Sequence, residues 1–95
     1  MEDSRAQLVA LEREELDHLT GRARSVIDRV ASAQRQQPPQ GRQLRDDLAF
    51  GQHRLQTDLN LADAALKTAD VESAQKYMDM AKGELERLGK LLAHL

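Results

Sequence analysis

Apolar residues recur along the chain with the period of helices that pack side by side. In three segments they are spaced three or four apart, which is the heptad pattern. The predicted seams are Leu16, Leu19, Ala23, Val26, Val30 and Ala33 in the first segment; Leu44, Leu48, Gly51, Leu55, Leu59, Ala62, Leu66 and Ala69 in the second; and Val71, Ala74, Met78, Ala81, Leu85, Leu88, Leu92 and Leu95 in the third. The pattern predicts three amphipathic helices.

Two breaks separate these segments. Pro38-Pro39 ends the first helix, because proline lacks the backbone N–H that a helix needs and clashes with the preceding turn. At the second break the seam steps from Ala69 to Val71, an offset of two, and Asp70 is a favourable N-cap. We predict helices over about 3–36, 42–69 and 71–94, a Pro/Gln loop at 36–41 and a tight turn at 68–70. The alternative is one continuous helix through 68–70, as in a swapped dimer.

Three helices with short connections predict an all-α fold, an antiparallel three-helix bundle in one domain over 1–95. Helix 1 is the longest, so its first turns should project past the turn between helices 2 and 3. Near the N-terminus the seam is interrupted by Glu12, and Leu8 and Leu11 form a neighbouring stripe. A core of this size is only marginally stabilising, which favours self-association.

Composition narrows the classes of function. The 95 residues contain 40% apolar side chains, only two aromatic residues, Phe50 and Tyr77, and no cysteine. Disulfides, cysteine-based zinc sites and cysteine nucleophiles are therefore excluded. No apolar run approaches the ~20 residues of a membrane span. The acidic start is unlike a signal peptide, so we expect a cytoplasmic protein. The excess of arginine over lysine, 10 to 4, is typical of a GC-rich bacterial source.

Charge is unevenly distributed, although the net charge is only -2. Residues 1–20 and 46–95 are acidic, whereas 21–45 carry six arginines against one aspartate. Arg35, Arg42 and Arg45 flank the Pro/Gln loop. Dipole matching and solubility account for this pattern, and the alternative is an electrostatic handle for an acidic partner or for head-to-tail assembly. Nucleic acid is disfavoured, because no aromatic residues interleave with these arginines.

Residues 61–81 carry a family resemblance. Ala62 stands where the first helix of a repeat has an early small residue. Ala74, Met78 and Ala81 follow in helix 3, which corresponds to the second helix of the repeat, at spacings of four and three. The segment resembles the middle of one tetratricopeptide repeat and is similar to the hairpin of MIT-type three-helix modules, which bind partner helices. The repeat usually has glycine where this chain has Ala69. The resemblance covers about a fifth of the chain and implies a helix–turn–helix. Close packing of any antiparallel helix pair is the alternative source of these small residues.

One motif suggests metal chemistry. Glu15-x-x-His18 is one of the two Glu-x-x-His motifs that a di-iron bundle uses beside two further glutamates, and a homodimer would supply the second motif. Both residues flank the seam, however, so a solvated helix face is favoured. No Gly-rich phosphate loop or catalytic grouping is recognisable. We therefore predict no enzyme activity, no cofactor and no metal.

Apolar residues off the seams are the candidates for contacts. Phe50 and Leu61 share nearly one side of helix 2, Tyr77 and Leu91 flank the seam of helix 3, and we expect these four to lie in the core. Met80 and the Leu8/Leu11 stripe are harder to bury and favour a dimer or partner surface. The candidate partner-binding residues are Leu8, Leu11, Phe50, Tyr77, Met80, Arg35, Arg42 and Arg45.

The pattern favours a non-catalytic helical module for protein–protein interaction or assembly, self-associating as a homodimer. The main alternative is an adaptor or chaperone-like bundle that binds a partner helix between helices 2 and 3. A metal-carboxylate enzyme and a nucleic-acid-associated subunit are less favoured.

Overall fold

The computed structural model describes residues 2–36 and 42–94, which fold into three α-helices. Helix α1 spans Glu2–Gln36, α2 spans Arg42–Lys67 and α3 spans Val71–Ala93. The three helices pack against one another, so the predicted all-α three-helix bundle is confirmed. The predicted loop around Pro38-Pro39 and the last seam residue, Leu95, lie outside the described residues.

The helices alternate in direction within a rod of 56 × 17 × 17 Å. Arg13, near the start of α1, binds Asp63 near the end of α2. Gln34, near the end of α1, donates to the backbone carbonyl of Arg45 near the start of α2. The two helices therefore run antiparallel, and the short turn at 68–70 makes α3 antiparallel to α2.

The turn between α2 and α3 explains the offset in the seam. Asp70 N–H donates to Ala65 C=O at 2.8 Å and Ala69 N–H donates to Leu66 C=O at 3.0 Å, the two bonds of a Schellman C-cap. This motif needs a left-handed residue, and Ala69 supplies it with a φ of 57°. Helix α2 ends at Lys67, two residues before the approximate predicted end, and Ala69 lies in the turn predicted at 68–70.

Asp70 caps the N-terminus of α3, as predicted. Its side chain accepts a hydrogen bond of 3.1 Å from Ser73 N–H. Hydrogen bonding from the side chain and then the backbone of Ser73 favours the charged carboxylate and lowers the pKa of Asp70. Glu72 in the first turn complements the helix dipole.

The core follows the predicted seams. The buried apolar residues are Leu16, Leu19, Ala23 and Val30 of α1; Leu48, Leu55, Ala62, Ala65 and Leu66 of α2; and Val71, Ala74, Met78, Ala81, Leu85, Leu88 and Leu92 of α3. The remaining seam members on the helices, Val26, Ala33, Leu44 and Leu59, are partly buried against this core. Thus all seven described seam positions of α3 are buried, whereas the seams of α1 and α2 are covered less evenly.

Close approach of α2 and α3 depends on Gly51. A β-carbon at this position would lie 2.7 Å from Leu88 Cδ2 and 3.2 Å from Leu88 Cγ. Leu88 is fully buried and cannot easily move aside. The contact between α2 and α3 is more extensive than either contact of α1, so this hairpin is the centre of the bundle.

Within residues 2–36 and 42–94, no helix combines the length and the apolar character that crossing a lipid bilayer demands.

We predict opposite effects of alanine at two helical glycines. Gly83→Ala adds a side chain in open space and should stabilise the fold by about 0.5–1 kcal/mol through helix propensity. Gly51→Ala gains the same propensity, but overpacking against Leu88 costs about 1–3 kcal/mol. Urea midpoints at equal protein concentration should rise for the first variant and fall for the second. A rise for both would show that α2 and α3 tolerate a wider separation.

We also predict that Ala69→Gly stabilises the protein by about 1 kcal/mol, because a left-handed backbone strains alanine but not glycine. Thermal or urea unfolding measures the gain. Thr68→Gly, one position earlier, should give no comparable gain, and equal gains at both positions would contradict the role assigned to the conformation of Ala69.

Candidate functional site

The side of the α2–α3 hairpin that points away from α1 is the strongest candidate site, and we call it the outer face. It consists of Phe50, Arg54 and Leu61 of α2 and of Tyr77, Met80, Glu84 and Leu91 of α3. The spacings are four and seven on α2, and three, four and seven on α3. Each spacing returns close to the same side of a helix with 3.6 residues per turn.

Helix α1 packs on the opposite side of the hairpin. Asp63 of α2 binds Arg13 of α1, and Gln75 of α3 donates to Glu12 of α1 at 2.8 Å. Both hairpin residues stand two positions from an outer-face residue, which is a rotation of about 200°. In the part of the chain that the structure describes, no helix covers the outer face.

The outer face exposes large apolar side chains. Phe50 is 55% exposed, Leu61 41% and Met80 39%. The expectation that Phe50 and Leu61 belong to the core is therefore wrong, because α1 touches the other side of α2. Tyr77 and Leu91 are partly buried and pack against the core from the edge, as expected.

A charged pair occupies the centre of this face. Arg54 Nε lies 3.3 Å from Glu84 Oε1 and joins the two helices. The arginine side chain is 46% exposed, whereas that of Glu84 is only 12% exposed. The guanidinium also lies 5.7 Å from the centre of the Phe50 ring, within the range of a cation–π contact. Arg54 is thus held between an aromatic ring and a carboxylate while still reaching solvent.

Apolar groups flank the charged centre on both sides. Because α2 and α3 are antiparallel and Arg54 meets Glu84, the same register places Leu61 level with Tyr77. Met80 follows Tyr77 by one turn on the same side of α3. At the opposite end, Phe50 lies before Arg54 on α2. The face therefore presents an apolar–charged–apolar sequence along the hairpin.

Asp58 lies buried beneath the outer face, with 4% of its surface exposed. Its Oδ2 and Glu84 Oε2 are both buried without a hydrogen-bond partner among the described residues. Burial raises the pKa of Asp58, Arg54 opposes this and the nearby Glu84 adds to it. Two carboxylates thus share one guanidinium, which leaves a net negative charge and two unmet acceptors.

Asp58 lies on the core-facing side of α2 but is not part of the predicted seam. Leu55, Asp58 and Ala62 continue the three–four spacing, whereas apolar character favours Leu59 as the seam residue. Leu59 is only partly buried. The uninterrupted spacing was the signal, and it pointed to an acid in the core.

The polar interruption of the α1 seam is buried as well. Glu12 is 9% exposed, and its Oε1 accepts the hydrogen bond from Gln75. Glu15 pairs with Lys82 of α3 and raises the pKa of that lysine. His18 is exposed. No group of three His, Asp or Glu residues within 2–36 and 42–94 is arranged to hold a metal ion.

The other predicted contact residues lie away from the outer face. Leu8 and Leu11 are 46% and 60% exposed near the start of α1. Arg42 and Arg45 border a cleft of about 580 Å³ at the other end of the bundle, and Arg35 is exposed in the last turn of α1. Of the eight predicted residues, Phe50, Tyr77 and Met80 share the outer face, and the other five lie outside it.

An open groove of about 540 Å³ runs between α1 and α2 and includes Ile27 and Leu59. Asp63 at its rim binds both Arg13 and Lys67. These bonds lower the pKa of Asp63, so its carboxylate stays ionised and fixes the two helices rather than exchanging protons.

We predict that Asp58→Asn stabilises the dilute protein at pH 7, by about 1 kcal/mol, since it removes a carboxylate charge that loses its hydration on burial. The raised pKa means that unfolded Asp58 loses its proton before folded Asp58 does. Stability is therefore lost as pH rises from the ordinary value of 3.8 through the folded pKa. The advantage of the variant should shrink as pH falls toward 3.8.

Asp63→Asn is the matched control for this prediction. The pKa of Asp63 is lowered, so its contribution is present above 3.8 and is lost as pH falls through the folded pKa. This variant should be less stable than the parent at pH 7, and the two should converge in acid. Urea midpoints against pH measure both differences, and the same sign for both would contradict the assignment of the buried acid.

No protein-family model, curated protein or solved structure matches this chain. The tetratricopeptide-like and MIT-like character of residues 61–81 therefore stays a prediction from sequence. The helix–turn–helix that the resemblance implies is present in α2, the turn at 68–70 and α3.

Proposed function

We propose that this protein is a non-catalytic helical interaction module that associates with its own copies through the outer face. The observation that carries the proposal is the exposure of Phe50, Leu61 and Met80 on one side of a hairpin whose other side is covered by α1. Scattered exposed leucines are ordinary on a protein surface, but a clustered apolar patch with charged groups marks an interface.

Self-association is supported by the small size of the core. The bundle is only 17 Å across in two directions, so few side chains can be fully enclosed. Domains of this size gain stability by oligomerising. A second layer of helices on the outer face would complete the coverage of Tyr77 and Leu91, which a single chain covers only in part.

An adaptor that receives an amphipathic helix from another protein is the second candidate, since the same groove between α2 and α3 would hold one. The mass in solution separates the two candidates. A protein that stays at 10.7 kDa up to millimolar concentration favours the adaptor, and a mass that doubles favours the homodimer. Loss of peptide binding in Tyr77→Ala or Met80→Ala would then locate the helix.

We predict that Leu61→Gln weakens self-association. Covering an exposed leucine contributes up to about 1.5–3 kcal/mol, and a symmetric dimer loses it twice, so the dimer Kd should rise roughly tenfold or more. Sedimentation velocity over a range of concentrations measures this change.

Leu11→Gln is the matched control, since Leu11 is a more exposed leucine outside the outer face. It should leave the Kd within about twofold of the parent, because Leu11 makes no contact at the proposed interface. A larger effect of Leu11→Gln than of Leu61→Gln would move the interface to the start of α1. A parent protein that remains monomeric would contradict self-association itself.

A further inference from the structure

The arrangement of charge on the outer face determines how two copies can meet. Two identical faces packed against each other are related by a two-fold axis lying between them. With the axis along the helices, α2 of one copy lies over α3 of the other at the same height. With the axis across the helices, α2 lies over α2 and the heights are inverted about the centre of the face.

The charged centre distinguishes these two arrangements. Arg54 and Glu84 are at the same height, because they form the ion pair that joins α2 to α3. An axis along the helices therefore puts Arg54 of each copy over the partner's Glu84. An axis across the helices through this centre puts Arg54 over the partner's Arg54, and like charges repel.

Glu84 is the carboxylate of this centre that a second copy can reach, because 12% of its side chain is exposed. Glu84 Oε2 and Asp58 Oδ2 have no hydrogen-bond partner within the described part of one chain. Only 4% of the surface of Asp58 is exposed. Arg54 contacts Glu84 through Nε, and its side chain is 46% exposed. The exposed part of Glu84 can accept from the partner's Arg54, so each guanidinium in the dimer lies between its own Glu84 and the partner's.

The apolar ends fit the same arrangement. At equal height, Leu61 of one copy meets the apolar group of Tyr77 and Met80 of the other, and Phe50 meets the end of the face that carries Leu91. The hairpin is about 35 Å long and two helices, ~20 Å, wide. It can thus bury an area near the ~800 Å² per partner of a standard interface.

We propose that two copies pack outer face to outer face about a two-fold axis parallel to the helices, so that Arg54 of each copy pairs with the partner's Glu84 above the buried Asp58. This inference rests on the proposed self-association and adds the occupant, the axis and the register. The interface is a four-helix layer in which each α2 lies antiparallel to α3 of the other copy.

Charge reversal in two separate chains tests the pairing. Arg54→Glu places a new carboxylate over the partner's Glu84, and Glu84→Arg places a new guanidinium over the partner's Arg54. Each variant alone should dimerise at least roughly tenfold more weakly than the parent. Mixed in equal amounts, the two variants should form a heterodimer with nearly the parent Kd, since both cross-pairs become complementary. Native mass spectrometry with a tag on one chain identifies this heterodimer.

A mixture that stays monomeric, while Leu61→Gln still weakens the parent dimer, overturns the register and leaves self-association intact. A parent that is itself monomeric overturns the proposed function instead. The chain with both Arg54→Glu and Glu84→Arg should dimerise like the parent, which shows that position 54 and position 84 tolerate the exchange. Helical circular dichroism and a cooperative thermal melt for each variant show that its monomer is folded. Where a charge-reversal variant does not fold, Arg54→Gln takes its place, since it should weaken the dimer without adding repulsion.

Discussion

The close packing of α2 against α3 is the constraint on which the rest of this structure depends. Gly51 lets Leu88 approach the α2 backbone, and Ala62, Ala74 and Ala81 are buried completely along the hairpin. Small residues at the contact let two helix axes come close together. The backbones and β-carbons of the two helices are then buried against each other without large side chains between them. A chain with only two aromatic residues can stabilise a core in this way.

The narrow separation also determines where the large side chains go. A helix pair held close by glycine and alanine has no room between its axes for Phe50 or Tyr77, so these rings lie at the edge of the contact. There they flank Arg54 and Glu84, the pair that bridges the helices. The apolar–charged–apolar outer face is thus a consequence of the tight hairpin, together with a third helix that covers only the other side.

The heptad spacing was sufficient to predict the three helices, the turn at 68–70 and most of the core, because each of these depends on local sequence and on one repeated period. The exposure of Phe50 and Leu61 could not be predicted in this way, since it depends on the side of the hairpin that α1 occupies. The burial of Asp58 follows from its three–four spacing with Leu55 and Ala62, but its charge favours a surface position, so the hydrophobic pattern alone does not place it in the core. The contacts of Glu12 and Glu15 with α3 are long-range and leave no mark on a helical period.

Long-range ion pairs add to the apolar packing that places α1. The buried seams of α2 and α3 face α1, whose Leu16, Leu19, Ala23 and Val30 complete the core on that side. Glu15 forms an ion pair with Lys82, and Arg13 with Asp63, on the side of the hairpin that α1 covers. On the outer face Glu15 would instead approach a centre that already holds two carboxylates and one guanidinium. Exposed ion pairs contribute little stability, typically about 0–1 kcal/mol, so apolar burial selects the side and these charges only add to it. The outer face is open because α1 completes the core on the other side of the hairpin, which leaves Arg54 and Glu84 available for the proposed pairing with a second copy.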